Sequence, residues 1–223
     1  MIPFKFNSFN ISFDGYLRLT LPEEVQKEIK KTIKKIENGK VQIDDQRPYL
    51  AGHLQKEISF PIGKKLKYVV EALCEEYDSI FDVEKNSYHS NFISEFKNDG
   101  YDFKYVLRSL WINYGQKHDF NPIHSHSGVY SFVLWVKIPY KLEDEDKVYP
   151  CANGSNTGRF HFVTSNAIGK STVSSHYIEY ADWDLIFFPS SLCHTVYPFY
   201  TSDEERISIA GNLFYEPVKV KKK

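Results

Sequence analysis

Val25, Ile29, Ile33 and Ile36 recur at spacings of four, four and three within a stretch otherwise dominated by lysine and glutamate. That period lays one apolar stripe along a helix. Leu21-Pro22-Glu23-Glu24 opens it and Asn38-Gly39 ends it, with the proline at the start and the glycine just past the end that helix termini favour. A second helix is predicted from Gly63 to about Phe81, with Leu66, Val69, Val70, Leu73 and Cys74 on its apolar side. Between the two, Leu50 to Glu57 fits neither the helical nor the strand period, so residues 1–104 read as a helical and irregular elaboration. From Tyr105 the pattern changes. Short runs rich in β-branched and aromatic residues cover Tyr105–Tyr114, Gly128–Pro139, Arg159–Thr164, Thr172–Tyr180, Trp183–Phe188, Thr195–Phe199 and Arg206–Phe214. Turn formers separate several of them, as in Asn153-Gly154-Ser155-Asn156 and Ala167-Ile168-Gly169-Lys170. Seven strands of this length predict a sandwich or barrel over residues 105–215. The polar stretch from Glu143 to Gly158 is long for a connection, and loops of that length often cover something.

Composition sharpens this picture at few points. Seventeen Phe and 16 Tyr favour pleated, half-buried surfaces and so support the β assignment. A formal charge of −1 gives no electrostatic case for a nucleic-acid binder. The basic tail at 216–223, with Lys219, Lys221, Lys222 and Lys223, reads as a solvated end. Cys74, Cys151 and Cys193 form no CxxC or zinc-like spacing, and their odd number gives no disulfide framework. With no signal-peptide pattern and no long apolar run, the expectation is one soluble, cytoplasmic domain.

The chemistry concentrates in Asn121-Pro-Ile-His-Ser-His-Ser-Gly128. On an extended backbone the rings of His124 and His126, two residues apart, point to one face, where both imidazoles reach a single metal ion. A third histidine, His194, follows the apolar strand Phe187-Phe188-Pro189 and a tight turn. Twelve residues later comes Arg206-Ile207-Ser208, whose alternation puts Arg206 and Ser208 on one face and Ile207 and Ile209 on the other. An arginine aimed into a β-sandwich needs an anion, and its planar fork suits a carboxylate. The competing reading pairs Arg206 with Glu204 or Glu205 at the surface.

This order of motifs resembles the Fe(II)/2-oxoglutarate-dependent oxygenase superfamily, carried by Trp111-Ile-Asn113, Asn-Pro-Ile-His-Ser-His-Ser-Gly-Val, Phe-Phe-Pro-Ser-Ser-Leu-Cys-His and Arg-Ile-Ser-Ile-Ala-Gly-Asn. The nearest resemblance is to the oxygenases of marine phage and microbial sequences. It implies a double-stranded β-helix, or jelly-roll, core and the cofactors Fe(II), 2-oxoglutarate and O2. His124 and His194 would bind iron, and Arg206 with Ser208 would hold the distal carboxylate of 2-oxoglutarate. The reaction implied oxidises a small-molecule or protein side-chain substrate, by default through hydroxylation, and releases succinate and CO2. The setting implied is a microbial or phage-infected cell.

The superfamily's usual site has two histidines and one carboxylate, and here His126 stands at the carboxylate position. Three readings stay open: His126 completes a three-histidine site, Asp119 loops back as the carboxylate, or only His124 and His194 bind. Asn113 and Tyr114, ending the first core strand, are candidate cosubstrate contacts or ordinary structural hydrogen bonders. Tyr130, Trp111 and His161 are candidate pocket residues. Cys193 is read as packing, and His53, His89, His118 and His176 as structural or exposed. A cupin-type metal protein without 2-oxoglutarate, or a non-catalytic jelly-roll binding module, would use the same architecture. Against the cupin reading, no glutamate follows His126 at the expected offset and Pro189-Ser190-Ser191 lacks the expected glycine.

Overall fold

In the computed structural model, which describes residues 5–11, 14–81, 101–150, 154–166 and 172–219, two antiparallel sheets stack face to face. Chain order gives β1 (Asn7–Ile11), β2 (Asp14–Thr20), α1 (Glu23–Glu37), β3 (Lys56–Ser59), α2 (Lys64–Phe81), β4 (Tyr101–Gly115) and β5 (Asn121–His124). It continues with β6 (Tyr130–Lys137), a short α3 (Leu142–Glu145), β7 (Phe160–Asn166), β8 (Thr172–Ile178), β9 (Asp184–Pro189), β10 (His194–Val196) and β11 (Arg206–Lys219). The larger sheet runs β1-β2-β9-β6-β11-β4-β3 and the smaller β5-β10-β7-β8. From β4 onward the chain passes back and forth between the sheets, which is the expected jelly roll.

Period-2 alternation assigns the buried apolar side chains of the larger sheet to one of two cores. On one face Ile112, Phe132, Leu134, Phe187 and Ile209 meet the helices, whose buried stripes include the predicted Val25, Ile29, Ile33 and Ile36 of α1 and Leu66 to Cys74 of α2. On the other, Val133, Trp135, Ile186 and Phe188 meet Phe160 and Phe162 of the smaller sheet. β6 and β9 are therefore buried on both faces, and their near-continuous apolar runs Phe-Val-Leu-Trp-Val and Leu-Ile-Phe-Phe follow from that.

The first third of the chain holds more than helices. β2 adds to the larger sheet beside β9, with Leu17 opposite Phe187, and β3 adds beside β4, with Glu57 opposite Asn113. Leu17, Leu19 and Leu21 alternate with polar residues over a stretch too short to stand out beside the helix that follows it. Asp184 locks β2 in place by accepting hydrogen bonds from Arg18 Nη2 (2.7 Å) and Thr20 Oγ1 (2.7 Å). Within the polar stretch Glu143–Gly158, Glu145 is fully buried and its carboxylate accepts the backbone N–H groups of Tyr200 (2.9 Å) and Thr201 (2.8 Å). The described part of that loop is thus pinned to the segment leading into β11. No helix of the described residues is long and apolar enough to cross a membrane. His89, Cys151, the turn Ala167–Lys170 and Lys221–Lys223 lie outside the described residues.

Candidate active site

β5 ends at His124, and His194, the first residue of β10, is its register partner on the adjacent strand. His126 lies just past β5, where its backbone N–H donates to Ser190 O at 2.8 Å. These placements bring one ring nitrogen from each of the three histidines within 4.8 Å of one another. His124 Nδ1 lies 2.7 Å from Pro122 O and His194 Nδ1 3.0 Å from Leu192 O. A carbonyl only accepts, so both Nδ1 atoms carry the proton and both Nε2 atoms present lone pairs. His126 Nε2 and His194 Nε2 are 3.2 Å apart.

Burial holds all three rings neutral. Desolvation, the leading cause in each case, lowers the His124 pKa, pushes His126 down to about 4 and moves His194 well below its ordinary value. Neutral imidazoles aimed at one point form a donor set for a divalent cation. The 3.2 Å separation matches neighbouring nitrogens that share one ion through bonds of about 2.1 Å. Phe188 (4.9 Å) and Phe160 (5.6 Å) pack their rings against His194, and Trp111 packs against His126 at 5.6 Å, which limits water around the cluster.

The same cleft reaches Arg206 and Ser208 on the inner face of β11. Arg206 is 3% exposed. Its Nη1 donates to Tyr140 Oη (3.2 Å) and Tyr197 O (3.1 Å), and its guanidinium stacks near Phe199 (5.2 Å) and Trp135 (5.8 Å). Among the described residues no carboxylate pairs with it, and Glu204 instead meets Lys137 at 2.5 Å. A buried guanidinium without an anion among the described residues, beside a hydroxyl, could hold a carboxylate. Trp135 Nε1, on the same cleft wall and directly opposite Ser208 in register, is a buried donor without a partner among the described residues. The observed donors therefore fit a dicarboxylate with one end at Arg206.

Of the other candidates, Asn113 and Trp111 line the cleft, and Asn113 Nδ2 donates to Ser208 Oγ at 3.2 Å. Three candidates lie elsewhere. Tyr114, one residue on from Asn113, points into the helix-side core with the Lys56 ammonium 4.0 Å from its ring centre. Tyr130 is in that core too, its hydroxyl donating to Asp78 and its ring against Tyr77 at 4.9 Å. His161 lies between Phe160 and Phe162 on β7, so it faces away from them, with Nδ1 2.7 Å from Ser175 Oγ. One step of strand parity separates each from the cleft face. Asp119 caps its own turn, its Oδ2 accepting the N–H groups of Gln116 (2.9 Å) and Gln55 (3.3 Å). Sequence reasoning missed Tyr140, Glu57 and Trp135; for Trp135, its place two residues from Val133 on one strand face was the available signal.

Residues 109–212, from β4 to β11, match the protein family described as "Putative 2OG-Fe(II) oxygenase". The match spans His124, His126, His194, Arg206 and Ser208. It bears out the resemblance read from the motifs, and with it Fe(II)/2-oxoglutarate-dependent dioxygenase chemistry and the cofactor set of Fe(II), 2-oxoglutarate and O2. No curated protein matches the chain. Among solved structures, a prolyl-4-hydroxylase of Pseudomonas putida is similar at 14% identity and TM-score 0.46, covering 94% of each chain. A Trichoplax adhaerens prolyl hydroxylase, bound to a hypoxia inducible factor oxygen degradation domain peptide, is similar at 13% identity and TM-score 0.47, covering 90% of this chain and 82% of that one. A 2OG-Fe(II) oxygenase family oxidoreductase of Burkholderia pseudomallei is similar at 13% identity and TM-score 0.41, covering 88% and 85%.

Proposed function

We propose that the chain, whose residues 109–212 match the 2OG-Fe(II) oxygenases, hydroxylates a small-molecule or protein side-chain substrate with release of succinate and CO2. The observation that carries the reading is a buried arginine, without a carboxylate partner among the described residues, in the same cleft as three converging imidazoles. His124, His126 and His194 would hold Fe(II), and Arg206 with Ser208 the distal carboxylate of 2-oxoglutarate. Bound there, the metal and cosubstrate supply oxidative decarboxylation, in which one atom of O2 enters succinate and the other becomes a hydroxyl on the substrate.

The chain's own contribution is positional. Pro122 O and Leu192 O fix the tautomer of two ligands, so their lone pairs are set before a metal arrives. Tyr140 Oη and Tyr197 O occupy one nitrogen of the Arg206 guanidinium and orient its remaining donors. The indole N–H of Trp135 supplies a further donor, and the Ser208 hydroxyl a third. Val133, Phe160 and Phe188 keep the space between metal and anion apolar, which strengthens both interactions. The loop Glu143–Gly158, pinned through Glu145, is the element we assign to substrate selection.

The test is an anaerobic titration of apoprotein with Fe(II) and then 2-oxoglutarate, followed by the visible charge-transfer band of the chelated cosubstrate. Wild type should develop the band and Arg206→Ala should lose it while still binding iron. Iron binding without a band in wild type would overturn the 2-oxoglutarate assignment.

A further inference from the structure

Both Glu57 carboxylate oxygens, Asn113 Oδ1 and Trp135 Nε1 are buried without a hydrogen-bond partner among the described residues, and they fall on a single row. Trp135 is opposite Ser208, Ser208 opposite Asn113, and Asn113 opposite Glu57, across the neighbouring strands β6, β11, β4 and β3. All four side chains are on the inner face, since Ile58, the other parity of β3, belongs to the helix-side core. The row begins at the proposed anion site and ends at Glu57, which is 1% exposed. Gly52 closes over it: a Cβ there would lie 2.5 Å from Glu57 Oε1 and 2.4 Å from Leu54 Cδ1.

Side chains directly opposite on neighbouring strands have Cβ atoms about 4.5–5.5 Å apart, within reach of a Glu–Asn contact. Glu57 and Asn113 Oδ1 bring three acceptor oxygens to that place, none of them with a hydrogen-bond donor on it among the described residues. One proton on Glu57 supplies a donor to Asn113 Oδ1 and leaves a single Glu57 oxygen without a partner among the described residues.

We propose that Glu57 is a positioning residue for the cosubstrate: as a neutral acid it donates to Asn113 Oδ1, which keeps Asn113 Nδ2 on Ser208 Oγ and leaves the Ser208 hydroxyl proton for the anion beside Arg206. The proposal rests on the reading of Arg206 and Ser208 as the 2-oxoglutarate site. When Glu57 ionises, the amide turns over. Nδ2 then goes to the carboxylate, Oδ1 accepts from Ser208, and the anion loses a donor.

The surroundings extend the neutral form well above the ordinary carboxylate range. Burial, the largest effect, pushes the Glu57 pKa up to about 7. Arg47 opposes this, while Asp45 and Asp119 add to it. Arg47 is itself tied to Asp45 at 2.7 Å, and Asp119 is held by two backbone amides. Lys56, next in sequence, lies over Tyr114 on the opposite face.

The experiment measures 2-oxoglutarate affinity of the Fe(II)-loaded protein anaerobically by calorimetry across pH. Wild-type affinity should fall roughly tenfold between about pH 6 and pH 8.5, the loss of one hydrogen bond to a charged group. Glu57→Gln keeps an N–H donor at every pH, so its affinity at the alkaline end should stay at the wild-type acidic value. Ser208→Ala should bind more weakly and show no dependence. A wild-type fall that Glu57→Gln leaves unchanged, or that persists in Ser208→Ala, overturns the relay alone. Absence of 2-oxoglutarate binding at every pH overturns the cosubstrate assignment and the relay with it.

Discussion

His126 gives the proposed metal site a neutral imidazole where a carboxylate would bring a negative charge, so the bound cation keeps one more unit of formal charge for a dianionic cosubstrate. His126→Asp should therefore still bind Fe(II) but hold 2-oxoglutarate more weakly, about tenfold, by anaerobic titration; unchanged affinity would mean His126 is no ligand. Glu57 makes a prediction about folding that needs no ligand. Its pKa is 4.5 ordinarily and about 7 here, so between those values the folded state keeps a proton that the unfolded chain releases. Stability must then decline as pH rises through that window. Glu57→Gln should remove the decline and leave the protein more stable than wild type at about pH 8 by roughly 2–3 kcal/mol, read from denaturant unfolding at two pH values. At this scale the three converging histidines and Arg206 were legible because HxH spacing and the Arg-x-Ser alternation each state a face. Tyr114 and Tyr130 were misjudged because nearness in sequence to a site residue does not carry face, and a single step of parity sends a side chain to the helices. Glu57 was illegible because its meaning comes only from its register with Asn113.

The loop and the strands it touches make a prediction of their own. Glu145, in α3, accepts from Tyr200 and Thr201, a few residues past Tyr197, whose carbonyl orients Arg206. Glu145→Ala leaves those donors without their carboxylate and should lower stability by about 2–4 kcal/mol. It should also weaken 2-oxoglutarate binding, while Lys147→Ala, which breaks an exposed pair with Asp144, should do neither; denaturant midpoints and binding curves separate them. Swapping the stretch beyond α3 for an unrelated loop should change substrate choice and leave uncoupled 2-oxoglutarate turnover intact, and loss of both would exclude it as a selectivity element. α1, α2 and the strands from β4 on, β5 excepted, were readable because each helix shows several turns of its period and each strand is a run rich in β-branched and aromatic residues. β1, β2, β3 and β5 were not, since none is a run of β-branched and aromatic residues; what makes β2 and β3 strands is the edge already offered by β9 and β4, and β2 in turn offers one to β1.

At the scale of the whole molecule, the two cores share β6 and β9 as a common wall. Phe132, Leu134 and Phe187 serve the helices, while Val133, Trp135 and Phe188 serve the cleft. Neither layer can be opened without stripping one side of the same two strands. Heat or denaturant should accordingly melt helices and cleft in one transition, and circular dichroism and tryptophan fluorescence should coincide. The shared wall also makes α2 a reporter on an event it never touches. Amides in the middle of that helix exchange with solvent only when the wall is lost, so an anion held at Arg206 must slow them by the same factor as amides in β11. Hydrogen exchange with and without 2-oxoglutarate would show this, and slowing confined to β11 and its neighbours would mean the helices come away on their own.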